Sequence, residues 1–129
     1  MSQVTIRERL TQHMFDFDQA QSDIDVRYAN TNHKINTDRP WLKFTINMGQ
    51  QQVSSIASNP LIRQDGMIDI QIFVGTNTDT LEGYTIADLL IDHFVYADVE
   101  DVVINPPTIT STPRENYYQI NVKFPFTYL

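Results

Sequence analysis

Alternation of apolar and polar residues is the feature of this sequence that most constrains its fold. The clearest example ends the chain, where Tyr118, Ile120, Val122, Phe124 and Phe126 occupy every second position. A period of two places these side chains on one face of a β-strand. Similar or shorter patterns, bounded by Gly, Pro or Asn, predict five strands in all, at residues 24–28, 41–48, 66–74, 99–104 and 116–128.

Two further segments have the spacing of amphipathic helices. The first, about residues 4–19, has the apolar positions Ile6, Leu10, Met14 and Phe17. The second, about residues 80–96, has Tyr84, Ala87, Leu90, Ile91 and Phe94. Each helix needs an apolar surface to cover its stripe, and one face of the sheet supplies it. We therefore predict an α+β fold in the order α-β-β-β-α-β-β, with about five strands in one mixed or antiparallel sheet and both helices packed on one face.

The composition predicts one folded domain over residues 1–129. A chain of this length with 41% hydrophobic residues can bury a core, and no linker or internal repeat divides it. The formal charge of −7 disfavours tight binding to nucleic acid, because phosphates are normally bound by clustered Lys and Arg. Cysteine is absent, so no disulfide or thiolate site is expected, and cytoplasm is the default compartment. The charged N-terminal segment does not resemble a signal peptide, and no membrane partner is expected.

Two surfaces are candidates for contacts with other proteins. The polar, uncharged segment at residues 49–60 predicts a hairpin arm or mobile loop, whose candidate contact residues are Gln50, Gln51, Gln52 and Val53. The sheet face away from the helices is predicted to carry Trp41, Phe73 and Tyr117 among polar residues. Aromatic side chains in such a position are typical of subunit interfaces, although single exposed aromatics are also common.

Catalytic and metal-binding patterns are weak in this chain. Asp88, Asp92 and His93 share the second predicted helix, where carboxylates four residues apart lie side by side, but a solvated helix face accounts for them equally well. No metal or cofactor is expected. Nucleophile elbows and glycine-rich phosphate loops are absent from the sequence, and we predict that the protein is not an enzyme.

The order of these segments resembles that of the phage tail-terminator family, the tail-completion proteins known from lambda-like phages. The resemblance covers most of the chain. It is carried by an N-terminal helix, the Tyr28-Ala29-Asn30 segment before a polar stretch and the strand Pro40–Phe44, the strand Gly66–Phe73 leading through a turn into a helix, and the final aromatic strand with Phe124-Pro125-Phe126.

This resemblance implies a virion protein, assembled in the bacterial host cytoplasm. Its subunits form a ring, expected to be a hexamer, on the head-proximal end of the tail tube. The ring stops tube polymerisation and offers its other side to head-completion proteins. Its partners would be further copies of itself, the tail tube protein and a head-completion or connector protein. DNA would pass through the ring without tight binding, and Asp98, Glu100 and Asp101 are candidates for acids that face the channel.

Two alternatives remain open at this stage. Another head-tail connector, such as a stopper or adaptor, has the same small size, acidity and ring assembly. A small-molecule-binding or hydrolytic α+β domain is the alternative from a different class. It would use His93 with Asp92 and would require a concave pocket beside them.

Overall fold

Two helices and six strands make up the part of the chain that the structure describes. This computed structural model describes residues 3–21, 24–28, 40–53, 62–75, 80–95, 97, 99, 102–113 and 117–128, with backbone alone at 3, 50–53, 62, 63, 80, 113 and 117. In chain order the elements are α1 (Gln3–Ala20), β1 (Asp25–Tyr28), β2 (Trp41–Val53), β3 (Ile62–Gly75), α2 (Thr80–Phe94), β4 (Val102–Ile104), β5 (Thr108–Pro113) and β6 (Tyr117–Tyr128).

All six strands belong to one mixed sheet. Its order is β1-β2-β3-β6, and both β4 and β5 pair with the outer side of β6. The pair β1 and β2 is parallel, whereas the other pairs are antiparallel. The predicted α+β fold with a single mixed sheet is confirmed, with one strand more than the sequence indicated.

Rows of apolar side chains cross the centre of the sheet. In the middle row, Phe44 lies opposite Ile70, which lies opposite Val122. The rows on either side consist of Leu42, Ile72 and Ile120, and of Ile46, Ile68 and Phe124. All nine side chains are buried and belong to the same core cluster as the apolar faces of α1 and α2. Both helices therefore cover one face of the sheet, and removal of this apolar surface from water is the main force that holds them there.

The helices bury most of the residues that their spacing predicted. In α1, the four predicted positions are all at most 2% exposed. In α2, Ala87, Leu90 and Phe94 are buried, but Tyr84 is 40% exposed and its predicted place in the core is wrong. The buried face of α2 is instead centred on Gly83 and Ala87. A search for hydrophobic residues misses this face because glycine has no side chain.

Gly83 has a packing role that its low helix propensity hides. A Cβ atom at this position would lie 2.5 Å from Cδ1 of Ile120 in the sheet below. The missing side chain therefore allows α2 to approach β6 closely.

The strand that the sequence did not predict is β5. The chain does not leave the sheet at Pro106 and Pro107, because the amide of Asn105 donates to the carbonyl of Pro125 at 2.8 Å and β5 then continues along β6. Its sequence, Thr-Ile-Thr-Ser-Thr-Pro, lacks an alternating apolar pattern because the strand lies at the sheet edge with most side chains exposed. Its β-branched residues were the available signal.

Candidate interaction surface

Two of the three aromatic residues predicted on the second sheet face, Trp41 and Phe73, stack on each other within one chain. The rings of Trp41 and Phe73 are parallel within 12°, with centroids 4.0 Å apart. Arg27 lies over the other side of the indole, with its Cζ atom 4.6 Å from the ring centroid, and its Nη2 atom is 3.5 Å from Oδ2 of Asp25. Cation–π contact and stacking therefore attach β1 to β2 and β3 on this face.

This stack changes which aromatic residues are accessible. Phe73 is only 8% exposed, so its ring is not an open contact surface in the monomer. Trp41 is half-buried beneath Arg27 and retains some exposed surface. The side chain of Tyr117 lies outside the described residues, although its backbone begins β6 opposite Gly75.

The second predicted surface, the arm at residues 49–60, begins as a two-stranded extension of the sheet. Gln51, Gln52 and Val53 pair with Gln64, Arg63 and Ile62. Towards the arm, the pairing of β3 with β6 stops at Gln64, which lies opposite Tyr128. The ribbon of β2 and β3 therefore extends past the paired part of β6. The side chains of Gln50, Gln51, Gln52 and Val53 lie outside the described residues, as do residues 54–61.

A β-bulge marks the base of this arm. The register shifts between Met48 and Gln51, so that two residues of β2 face Asp65 alone. The buried side chain of Gln64 secures the bulge, because its Nε2 atom donates to the carbonyl of Gly49 at 2.8 Å and to that of Asp65 at 2.7 Å. A side chain at residue 49 would also crowd the Asp65 carbonyl, with Cβ at 2.9 Å. Bulges bend and twist a ribbon, so this one sets the direction in which the arm leaves the sheet.

A shallow cleft on the outer flank of α1 is a surface that the sequence analysis missed. It has a volume of about 550 Å³ and is lined by Val4, Arg7, Glu8, Thr11, Gln12 and Phe15. Val4 is 61% exposed and Phe15 is 45% exposed. These residues were not considered in the sequence analysis. Val4, Thr11 and Phe15 are spaced by seven and four residues, which places them on one helix face, and this was the available signal.

The ring of His93 packs against α1 and is hydrogen-bonded there. It stacks on His13 of α1, with centroids 4.0 Å apart and planes 15° from parallel. Each Nε2 atom donates to the backbone carbonyl of the other histidine at 2.7 Å. Asp88 and Asp92 are both exposed on the outer side of α2. The structure therefore joins two histidines that are 80 residues apart and directs the two acids towards solvent.

The surroundings of His13 favour its neutral form. Burial lowers the pKa of His13 below 6.5, and the positive charge of His93 acts in the same direction, whereas the hydrogen bond to the His93 carbonyl and the carboxylate of Asp16 act against it. A carbonyl oxygen only accepts hydrogen bonds, so both neutral rings carry their proton on Nε2.

The remaining predicted acids, Asp98, Glu100 and Asp101, lie outside the described residues. Within the described ranges, no group of three or more His, Asp or Glu side chains is arranged to hold a metal ion. Over the same residues, no helix is long and apolar enough to cross a membrane.

Comparison with known proteins extends the description of the fold. No protein-family model matches this chain, and no curated protein matches it. Solved structures do match, and one of them, a protein without a functional name, superposes with a TM-score of 0.78. It is 14% identical in sequence, and the alignment covers 100% of this chain and 96% of that one. At this identity the similarity concerns the fold alone: the same arrangement of helices and sheet exists in another protein.

Proposed function

We propose that this chain is a virion structural protein that forms a ring on the head-proximal end of a phage tail tube. The ring ends polymerisation of the tube and provides the surface to which a filled head is joined. The observation that carries this proposal is the two-stranded arm, which extends beyond β6 and contains no charged residue between Gly49 and Pro60. The segment order that resembles tail terminators supports the same function.

An arm of this kind suits a subunit that caps a tube. A body with both helices on one sheet face provides a stable platform, and a ribbon that leaves it reaches a neighbouring protein without disturbing the core. Because the backbone of residues 51–53 is already extended and paired with β3, this part of the arm loses less conformational freedom on binding than a coil does. Gln50, Gln51, Gln52 and Val53 are the proposed contact residues at its base, and Trp41 is proposed as a contact on the second sheet face.

The net charge of −7 is consistent with passage of DNA through the ring. Acidic residues repel phosphates, so a channel lined by them would let DNA slide without adhesion. Asp98, Glu100 and Asp101 are the proposed channel residues. Replacement of these acids by Asn or Gln should leave folding and assembly intact and slow the release of DNA from completed particles. Unchanged release kinetics would remove this explanation of the charge.

Growth of tail tubes in vitro tests the proposed function. Purified tube protein is allowed to polymerise with increasing amounts of this protein, and tube lengths are measured. We expect shorter tubes, because a bound ring blocks further addition of tube subunits. Unchanged lengths with a folded protein would contradict the terminator role. They would favour another connector in the head-tail junction, such as a stopper or adaptor.

A further inference from the structure

Two strand edges on opposite sides of the sheet lack a partner among the described residues. On one side, β5 pairs with β6 only. On the other side, β1 pairs with residues 41–44 of β2 and leaves residues 45–53 of β2 without a second neighbour in the described part of the chain. Such edges carry backbone N–H and C=O groups that are available for pairing.

These two edges lack the charged side chains that commonly prevent strand addition, although β5 ends in Pro113 and the β2 edge contains the bulge between Met48 and Gln51. Edge strands of monomeric proteins are commonly protected by charged residues. The short edge strand β1 follows this rule, since Asp25 and Arg27 are two of its four residues. In contrast, neither β5 nor residues 45–53 of β2 contain a charged residue. The two edges are therefore chemically suited to each other, and neither would bring a charge into the contact.

The direction of the strands permits these edges to pair head to tail. From β2 through β3 and β6 to β5, every neighbouring pair is antiparallel, so β5 runs opposite to β2. If β5 of one copy is placed beside β2 of the next with both sheets facing the same way, the new pair is antiparallel. In antiparallel pairing the backbone hydrogen bonds are perpendicular to the strands, and the pairing is somewhat more stable per residue than parallel pairing.

The side chains on the two edges match as well. Ile109 of β5 lies opposite Val122, on the helix-covered face, and is 39% exposed. On the same face, the free stretch of β2 carries the buried Ile46 and the half-buried Met48. On the other face, Thr110 would meet Thr45 or Asn47, which are uncharged. Pairing of the edges would therefore bury Ile109 against apolar side chains.

We infer that copies of this chain associate by continuing the sheet, with β5 of one subunit pairing with residues 45–53 of β2 in the next. The contact joins two different surfaces, so each added copy leaves one free edge of each kind. Repetition of this contact closes into a ring when the rotation between neighbours allows it. The inference deepens the proposed function and rests on it for the closed ring, since it names the strands that join the ring subunits.

Engineered disulfides provide the test, because the natural chain contains no cysteine. The double variants Thr110→Cys/Asn47→Cys and Thr110→Cys/Thr45→Cys sample two registers. Within one chain these positions are separated by three strand spacings, or about 14 Å, which exceeds the reach of a disulfide of about 7 Å between Cα atoms. A disulfide in either variant therefore joins two chains. The matched control is Thr110→Cys/Gln19→Cys, in which the second cysteine replaces an exposed residue of α1.

We expect one of the two double variants, oxidised at high protein concentration, to form a ladder of linked oligomers, while the control remains monomeric. A mixture of the corresponding single variants should yield dimers and nothing larger. Dimers from Thr110→Cys alone would overturn the inference, because they would show β5 paired with itself. Absence of disulfides in both double variants would overturn it as well.

The same proteins separate this inference from the proposed function. If the natural protein shortens tail tubes and neither double variant forms disulfides, alone or on the tubes, the terminator function stands and the strand pairing is wrong. If the ladder forms and tube lengths are unchanged, the pairing stands and the tail function is wrong. Thr110→Lys should abolish association, and the charge-matched Gln19→Lys should leave it intact. Equal association of these two variants would contradict pairing through β5.

Discussion

At the scale of single residues, the contact between His13 and His93 joins the two helices above the sheet. Phe94 packs edge-on against both rings, with centroids 5.0 Å and 5.3 Å away, so the histidine pair borders the apolar core. Protonation of either ring would place a positive charge 4.0 Å from the other ring. Burial lowers the pKa of His13, so protonation of this ring in acid weakens the contact between the two helices.

This arrangement predicts a pH dependence of folding stability. The folded protein lowers the pKa of His13 below 6.5, so the folded state binds fewer protons than the unfolded state in this range. The stabilisation is complete above the unfolded pKa and is lost as the pH falls through it towards the folded pKa. From about pH 8 to about pH 5, we expect the melting temperature of the natural protein to fall further than that of His13→Gln. Equal decreases in both proteins would contradict a lowered pKa of His13 in the folded state.

Gly83 provides a second residue-scale prediction. In an exposed helix, Gly→Ala stabilises by roughly 0.5–1 kcal/mol. Here the new methyl group would overlap Cδ1 of the fully buried Ile120. We expect Gly83→Ala to lower the free energy of unfolding by about 1–2 kcal/mol, as is usual for overpacked cores.

A double-mutant cycle isolates the cause of this loss. Ile120→Val removes the overlapping Cδ1 atom, so Gly83→Ala should become neutral or stabilising in that background. Denaturant unfolding of the four proteins measures the coupling. The same loss in both backgrounds would show that the overlap with Ile120 is not responsible. Thr85→Ala, at an exposed position of the same helix, should change stability by less than about 0.5 kcal/mol.

At the scale of elements, the proposed function assigns the β2–β3 arm to assembly and the sheet with its helices to folding. Gln52 pairs with Arg63, so residues 53–62 can be replaced by Asn-Gly, a two-residue sequence favoured in tight hairpin turns. The core rows and the bulge at Gln64 remain in this variant. We expect its thermal melt to be nearly unchanged and its attachment to tail tubes, measured by co-sedimentation, to be lost. Attachment at the natural level would contradict the function of the arm, and loss of folding would show that the arm belongs to the core.

The individual strands differ in how well the sequence predicts them. Strands with a buried face, such as β3 and β6, were predictable because one side of each is apolar. The edge strand β5 was not, since neither of its faces has to be apolar. The stack of Arg27, Trp41 and Phe73 was also beyond a periodic pattern, because it depends on the register of three strands. The His13–His93 contact likewise depends on how two helices are placed side by side.

At the scale of the whole molecule, the sheet divides the protein into a closed side and an open side. The helices cover one face with a continuous core, while among the described residues no helix covers the other face. The proposed function requires several different surfaces on one small body, because the subunit would contact a tube, a head protein and two copies of itself. The solved structure with the same fold shows that this arrangement of helices and sheet recurs at 14% sequence identity.

Negative-stain electron microscopy of the protein mixed with purified tail tubes tests the central proposal most directly. The account predicts added density at one end of each tube, with the ring symmetry visible in end views. The arm-shortened variant is the control and should leave both ends bare. If tubes mixed with the natural, folded protein show bare ends, the proposed tail-terminator function is contradicted.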